Sequence, residues 1–401
     1  MALAGGALAA LTALGRVEYS VVTRGTAGLF NDFYDYWGAG VLLNRGQNPY
    51  DIAALTAVQR GAGLQAESGS GYSYPLFFAH LVRPLALLDP HTAAIVFSGL
   101  GLLALAAAMA VLLGSIPALS WPVSLLGGAA AGIFPPVNGS LYFGQANLIV
   151  LLTLALAYRC VAPGPMLGLA AAVKLYPLSG FLAAVTERPP AWRRLRNGLV
   201  LFVLLLLLQI GPNLQAAGRA GYFAFGPDTY WSNESINGWI SRLGLDSTWT
   251  RAPFPGLPVW AIMVMIVGVL AVAAIALLLL HKRPWSGALA LSLWLGVVGA
   301  PKNSLWNFTP LLLCLVFAWT QLNGRWWILG AGVIGWLLIE AQAQLDAARE
   351  TVYRSDPALT WLSSVGLYGA LLIGALTAYV LWRPGGVARP DSRPGSRRPS
   401  R

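Results

Sequence analysis

The chain has 401 residues, 57% of them apolar and only 10% charged. Soluble domains carry about 25% charged residues, so this composition argues against a soluble enzyme, a disordered chain or a nucleic-acid-binding module, in spite of a net charge of +11. Apolar runs at 199–208, 259–280 and 365–381 approach the ~20 residues that cross a bilayer and predict an all-α polytopic membrane protein. A charge near lipid is costly, so each of the 26 basic and 15 acidic residues asks for a reason.

In chain order, the first apolar stretch crosses only by continuing through Arg16 and Glu18 to about Val22. A segment rich in Tyr, Trp, Gly and Asp follows from 24 to 90. Further spans are predicted at 92–113, 120–137, 144–160, 198–217, 257–280, 286–300, 308–320, 326–343 and 360–382. Between 166 and 186 an apolar stretch is broken by Lys174, Tyr176 and Pro177. Pro removes a backbone donor and clashes with the preceding turn, and non-helical backbone at depth is tolerated where it lines a cavity. This stretch is expected to enter the membrane and return. A kinked full span with a snorkelling Lys174 is the alternative.

Orientation follows from Lys and Arg. Four Arg lie in 187–197 and six in 383–401, with His281-Lys282-Arg283 and Arg325 in two short loops. All four segments are placed on the cytoplasmic side. The segments 24–90 and 218–256 then become extracytoplasmic loops of a single multi-pass domain, 1–382. The Pro/Gly/Ser/Arg tail 383–401 is read as a disordered cytoplasmic anchor. Cys160 and Cys314 have no CxxC spacing and the three His are scattered, so neither a metal site nor a cofactor is expected.

The densest polar constellation is Asn31-Asp32-Phe33-Tyr34-Asp35-Tyr36-Trp37, followed by Gly46-Gln47-Asn48-Pro49-Tyr50-Asp51. On a helix Asp32 and Asp35 share a face. Close carboxylates raise each other's pKa, and a poised carboxylate suits general-base work. Aromatic residues and acids at a membrane edge are also common for anchoring alone. Lys174 and Lys302, two of only three Lys, stand beside Pro at helix breaks. Lys is a compact cation suited to phosphate. Gln145 and Asn147 either hydrogen-bond a sugar or cross-link helices. The cluster Asn233-Glu234-Ser235 reads as a helix N-cap or as an acceptor contact. Arg242 anchors its loop or meets a phosphate. Glu340, beside Gln342 and Gln344, is expected at the outer interface.

The run DFYDYWGAGVLLNRGQNPYD resembles the first-loop pattern of glycosyltransferase family 87, polyprenyl-phosphate-mannose-dependent mannosyltransferases of the GT-C superfold. Four further segments are similar in order: Tyr72-Ser73-Tyr74-Pro75, Gly144-Gln145-Ala146-Asn147-Leu148, Lys174-Leu175-Tyr176-Pro177, and Asn233-Glu234-Ser235-Ile236-Asn237-Gly238 with Ser241-Arg242-Leu243. The resemblance implies a GT-C-like bundle of about 10–12 spans whose extracytoplasmic loops carry short amphipathic helices. It also implies inverting transfer of a hexose, mannose by family, from a polyprenyl phosphate to a glycolipid or glycan acceptor at a bacterial plasma membrane. Asp32 falls on the family's catalytic aspartate. Asp35, Tyr36, Tyr74, Gln145, Asn147, Lys174, Tyr176, Asn233, Ser235, Arg242, Lys302, Trp306 and Asn307 form the implied substrate-binding set. The chain departs at 300–308, where the family often has a His and none is present; Asn307 and Lys302 are the candidates for its place. A lipid-linked saccharide transporter without chemistry fits the broken helices and midplane charge as a second class.

Overall fold

Prolines, glycines and capping side chains set the helix boundaries in the computed structural model, which describes residues 1–64, 71–187, 189–207, 226–279, 284–322, 324–347, 353 and 356–382. Among these residues the chain is helical without a strand. The α-helices are α1 (Ala2–Arg24), α2 (Asn31–Asn44), α3 (Ile52–Gly61), α4 (Leu76–Val82), α5 (Pro90–Leu113), α6 (Trp121–Gly132), α7 (Pro135–Tyr142), α8 (Asn147–Tyr158) and α9 (Pro163–Val173). They continue as α10 (Leu182–Thr186), α11 (Trp192–Leu207), α12 (Ile236–Gly244), α13 (Val259–Leu279), α14 (Trp285–Val298), α15 (Leu311–Thr320), α16 (Trp326–Ala347) and α17 (Val365–Trp382).

Local chemistry accounts for many of the starts. Asp51 caps α3 by accepting from the Ala54 N–H at 3.1 Å, and Asp89 caps α5 through Thr92 at 3.0 Å. Pro90 occupies the first turn of α5, where its missing N–H costs nothing. Pro135 separates α6 from α7, so the predicted span 120–137 is two helices instead of one. Four of the described helices are long and apolar enough to cross a membrane: Pro90–Leu113, Val259–Leu279, Trp326–Asp346 and Pro357–Trp382. Shorter apolar pieces, among them α8, α9, α14 and the stretch Leu305–Thr320, complete the bundle. Val264, Val267, Val272 and Leu279 of α13 point outward and exposed, as lipid-facing residues do. The protein is therefore an all-helical polytopic membrane protein.

Small residues let the helices approach closely. A Cβ added at Gly6 of α1 would lie 2.2 Å from the Ala106 carbonyl oxygen of α5, and one at Gly128 of α6 would lie 2.0 Å from that of Gly5. Gly164 and Gly168 of α9 meet α11 in the same way, at 2.2 Å from Arg194 O and 2.4 Å from Gly198 O. Lipid tails are as apolar as Leu, so such close van der Waals packing is what favours helix association in a bilayer.

The stretch 163–186 starts and ends at one end of the bundle. At its start, Gly164 abuts the Arg194 carbonyl. At its end, Glu187 pairs with Arg194 at 2.5 Å and the Ala191 N–H donates to Ala184 O at 2.8 Å. The Arg194 guanidinium sits 4.7 Å over Trp285, whose Nε1 donates to Ala157 at the C-terminus of α8. The chain thus rises through α9, breaks at Lys174 in an extended conformation, and returns through a 3-10 turn (Tyr176–Phe181) and α10. The N-termini of α8 and α15, the break at Lys174 and the start of α2 meet at the opposite end. Of the basic segments used for orientation, 281–283, 383–401 and Arg188 lie outside the described residues.

The segment between α1 and α5 is not a loosely wetted loop. Phe33, Tyr36, Tyr72 and Phe78 are buried, and Tyr36 stands edge-on to Tyr74, Phe78 and Phe97 with ring centroids 4.7, 4.9 and 6.1 Å away. The tyrosines expected at a membrane interface form instead a small aromatic core, which fixes α2 against α4 and α5. Edge-to-face pairs of this kind add about 0.5–1.5 kcal/mol each beyond their burial.

Candidate functional site

Asp32 is held by the backbone before it is held by its side chain. The N–H groups of Phe30, Asp32 and Phe33 donate to the carbonyls of Tyr142 and Phe143 at 2.8, 3.1 and 3.2 Å. The first turn of α2 is thereby pinned to the C-terminus of α7, and its exposed N–H groups find acceptors. Gly144 follows with φ +69, a left-handed conformation that favours glycine, and a Cβ there would also lie 2.6 Å from Phe33. This turn delivers Gln145 to Asp32.

The Gln145 side chain links two charges. Its Nε2 donates to Asp32 Oδ2. Its Oε1 accepts from Lys174 Nζ at 3.1 Å and from Asn147 Nδ2 at 2.7 Å. Lys174 Nζ also donates to Asn307 Oδ1 at 2.7 Å and lies 5.2 Å from the Tyr74 ring centroid. Asn147 Nδ2 in turn reaches Trp306 O at 2.9 Å and Ser140 Oγ at 3.0 Å. A carboxylate only accepts and an ammonium only donates, so the amide between them has one favourable orientation. Six chain segments, from α2, α4, α7, α8, α9 and the 3-10 turn Leu305–Phe308, converge here. Lys174 is 6% exposed, and the amide oxygens and the π face of Tyr74 replace its water.

Asp32 opens into a cavity of about 690 Å³, within the range that takes small ligands. Asp35, one helical turn on, lines it too and accepts from Gln59 Nε2 of α3 at 2.8 Å. Gln145, Trp306, Phe143, Tyr230, Trp231 and Ser232 form other parts of the wall. Trp306 packs on Phe143 with centroids 5.1 Å apart. A Cβ at Gly139 would overlap the Trp306 ring at 1.9 Å, so glycine is required there to leave room for the indole. Tyr36 stands buried behind this wall, with Tyr74 half-buried beside it. Burial first, then the negative charge of Asp32, raises the pKa of Tyr74 and keeps its phenol protonated. Tyr176 lies half-buried beyond the break at Lys174.

Part of the sequence-derived set is engaged elsewhere. Arg242 is fully buried, and its guanidinium donates to Tyr230 O (2.7 Å), Asn233 O (2.9 Å), Ser363 O (3.2 Å) and Ser364 Oγ (2.6 Å). Asn233 Nδ2 donates to Pro301 O at 3.2 Å and its Oδ1 accepts from the Asn303 N–H at 3.0 Å. Ser235 caps α12 through the Gly238 N–H at 3.1 Å. Asn233, Ser235 and Arg242 do not line the cavity; they staple the loop that carries Tyr230–Ser232 to the 301–303 turn and to the 3-10 helix Pro357–Ser364 ahead of α17. The pull is toward satisfaction of buried carbonyls, because an unpaired one costs about 1–3 kcal/mol. Beside them, burial pushes the Glu234 carboxyl up to about 8, against the lowering effect of Arg242. Lys302 is exposed and rests 4.8 Å over the ring of Tyr230, at the rim of the cavity.

The sequence reading missed Gln59, Arg16 and Glu340. Arg16 and Glu340 are each a charge in an apolar helix, and they pair across the cavity wall at 2.6 Å. Glu340 therefore lines the site. The signal was present as a cation and an anion within apolar helices, but nothing local says that residues 324 positions apart meet.

No curated protein matches the chain, and no solved structure does. A sequence model of glycosyltransferase family 87 matches residues 72–301, more than half of the chain, and spans Gln145, Asn147 and Lys174 of the polar chain just described. With its several apolar helices around this site, the chain is a membrane protein that belongs to glycosyltransferase family 87.

Proposed function

We propose that the protein moves a hexose, mannose as the family resemblance implies, from a polyprenyl phosphate to a glycolipid or glycan acceptor on the extracytoplasmic side. The observation that carries this reading is the charge pair bridged by one amide: Asp32 at the cavity, Gln145 between, Lys174 behind. Asp32 takes the proton of the acceptor hydroxyl as its oxygen attacks the anomeric carbon. The bond from that carbon to the phosphate oxygen breaks, and the polyprenyl phosphate leaves with the electron pair. Attack opposite the leaving group inverts the anomeric configuration. Lys174 sets a positive potential at this end of the bundle, where low dielectric makes one cation act over several ångströms. Lys302 at the rim is the second cation within the wall's reach of a phosphate. The donor's tail stays in lipid throughout, and no cofactor is part of the scheme.

The test is transfer by the purified protein in lipid nanodiscs, given polyprenyl-phosphate-[14C]mannose and a panel of glycolipid acceptors. Labelled glycolipid of inverted configuration is expected. Donor that crosses between leaflets without product would support the transport reading instead. In the same assay Lys174→Met is expected to lower kcat/KM about 10²–10³-fold, the range for loss of one preorganised electrostatic group. A loss under threefold would remove Lys174 from the mechanism.

Sidedness has its own measurement. Gln47 is exposed just after α2. With Cys160→Ser and Cys314→Ala as background, Gln47→Cys is expected to react with an impermeant maleimide added outside intact cells. Labelling only after the cells are opened would place the cavity on the cytoplasmic side.

A further inference from the structure

The same cavity that Asp32 and Asp35 line has a second polar wall that the mechanism above does not use. α1 supplies Arg16 and Ser20, and α16 supplies Glu340, Gln344 and Asp346. Glu340 Oε1 accepts from Arg16 Nη2 and from Gln344 Nε2, both at 2.6 Å. Oε2 carries neither of these bonds. The pair is partly open, with side chains 30% and 21% exposed, so it faces the cavity and is not sealed between helices. Ionisable residues in membrane helices are costly and mark functional pathways. A brace between α1 and α16 could be made of small apolar residues, as it is between α1 and α6.

We propose that this wall is the acceptor subsite, built to hold the hydroxyls of an uncharged sugar head group. The inference rests on the transferase reading. Displacement with inversion needs the acceptor oxygen on the face of the anomeric carbon away from the leaving phosphate. Positive charge for the phosphate lies with Lys174 behind Gln145 and with Lys302 at the rim. The acceptor then approaches Asp32 from the remaining polar surface, which is the Arg16–Glu340–Gln344 wall. Its chemistry is that of a sugar site: a carboxylate accepts from hydroxyls, while a guanidinium and an amide donate to them. The net charge selects further. Arg16 is matched by Glu340, and Asp32 and Asp35 also line the space. An acceptor bearing a phosphate or carboxylate next to the reacting hydroxyl meets an acidic surface with a single, already paired guanidinium.

The test compares wild type with Glu340→Ala, Arg16→Met and the exchanged pair Arg16→Glu/Glu340→Arg. Transfer is measured from polyprenyl-phosphate mannose to octyl α-mannoside and to octyl glucuronide. Wild type is expected to favour the mannoside at least tenfold in kcat/KM. Each single variant is expected to raise KM for octyl mannoside at least tenfold while KM for the donor moves less than threefold. The exchanged pair keeps an ion pair between α1 and α16, so it is expected to restore thermal stability but not acceptor KM. Unchanged acceptor KM in the single variants overturns the proposal, as does full recovery by the exchange, which would leave only a helix brace. Preference for the glucuronide overturns the charge selection. Wild-type protein that transfers mannose to neither glycoside, under conditions where it retains the donor, overturns the transferase reading and this inference with it. Active wild type with insensitive variants overturns the inference alone.

Discussion

Asp32→Asn is expected to reduce sugar transfer about 10²–10⁴-fold, the range for losing a positioned general base, equivalent to about 2.7–5.5 kcal/mol of barrier. The substitution is nearly isosteric. Its amide oxygen can still accept from Gln145, and the backbone bonds that pin α2 to residues 142–143 do not involve the side chain. Two control readouts separate chemistry from structure. The affinity for the polyprenyl-phosphate sugar should stay within about threefold of wild type, since Asn leaves Lys174 and Lys302 in place. The thermal midpoint should shift by only a few degrees, as for a change that removes no buried packing. Retained turnover in Asp32→Asn would refute the general-base assignment. Parallel loss of donor affinity and of turnover would instead mark Asp32 as an organiser of the wall. Asp35→Asn should be far milder, because Asp35 is already engaged by Gln59 and lies one turn away from the amide chain.

Arg242→Met is expected to destabilise the protein by about 3–5 kcal/mol, the cost of removing one partner from a buried ionic network. Four acceptors lose a donor together: the carbonyls of Tyr230, Asn233 and Ser363 and the Ser364 hydroxyl. Glu234 loses the cation that offsets its burial. A methionine replaces the volume but none of the hydrogen bonds. Arg242→Lys should recover only part, because an ammonium cannot span Tyr230 on one side and Ser363–Ser364 on the other with a planar fork. The measurement is thermal unfolding in nanodiscs together with limited trypsin digestion. Cleavage within 226–256 should accelerate before global unfolding, since this is the segment the guanidinium holds. Activity should fall with the same temperature dependence as structure, in contrast to Asp32→Asn. A variant of wild-type stability would show that Tyr230–Ser232 are held by other contacts.

These two arginine and aspartate cases show how far the sequence could be read. Asp32, Gln145, Asn147 and Lys174 were legible before any fold was known, as polar residues beside or within apolar runs, and Asn307 only through the family resemblance. That they form one connected chain was not. Lys174 and Arg242 carried the same local signal, a cation beside an apolar stretch. In the fold, Lys174 ends a broken helix and turns toward Asp32 through an amide, whereas Arg242 lies on the inward face of α12 and is consumed by carbonyls. The aromatic residues of 24–90 were equally ambiguous. Spacing could not distinguish an interfacial belt from a core, and the packing of Tyr36 among Tyr74, Phe78 and Phe97 decided it.

The sequence by itself determined the class. Low charge and long apolar runs require a bilayer around the chain, because no other solvent accepts that much apolar surface. It also marked the break before Pro177, since Pro cannot sit within an unbroken ladder of hydrogen bonds; the break at Pro135, inside the predicted span 120–137, came only from the fold. Only the tertiary structure decided which charges belong together. Arg16 and Glu340 are nearly the whole chain apart in sequence, and their meeting depends on Gly5, Gly6 and Gly128 letting α1 seat closely against α5 and α6. Within a low-dielectric bundle a lone charge is expensive and a paired one is not. Arg16, Asp32, Asp35, Glu340 and Asp346 are thereby gathered by packing around one cavity.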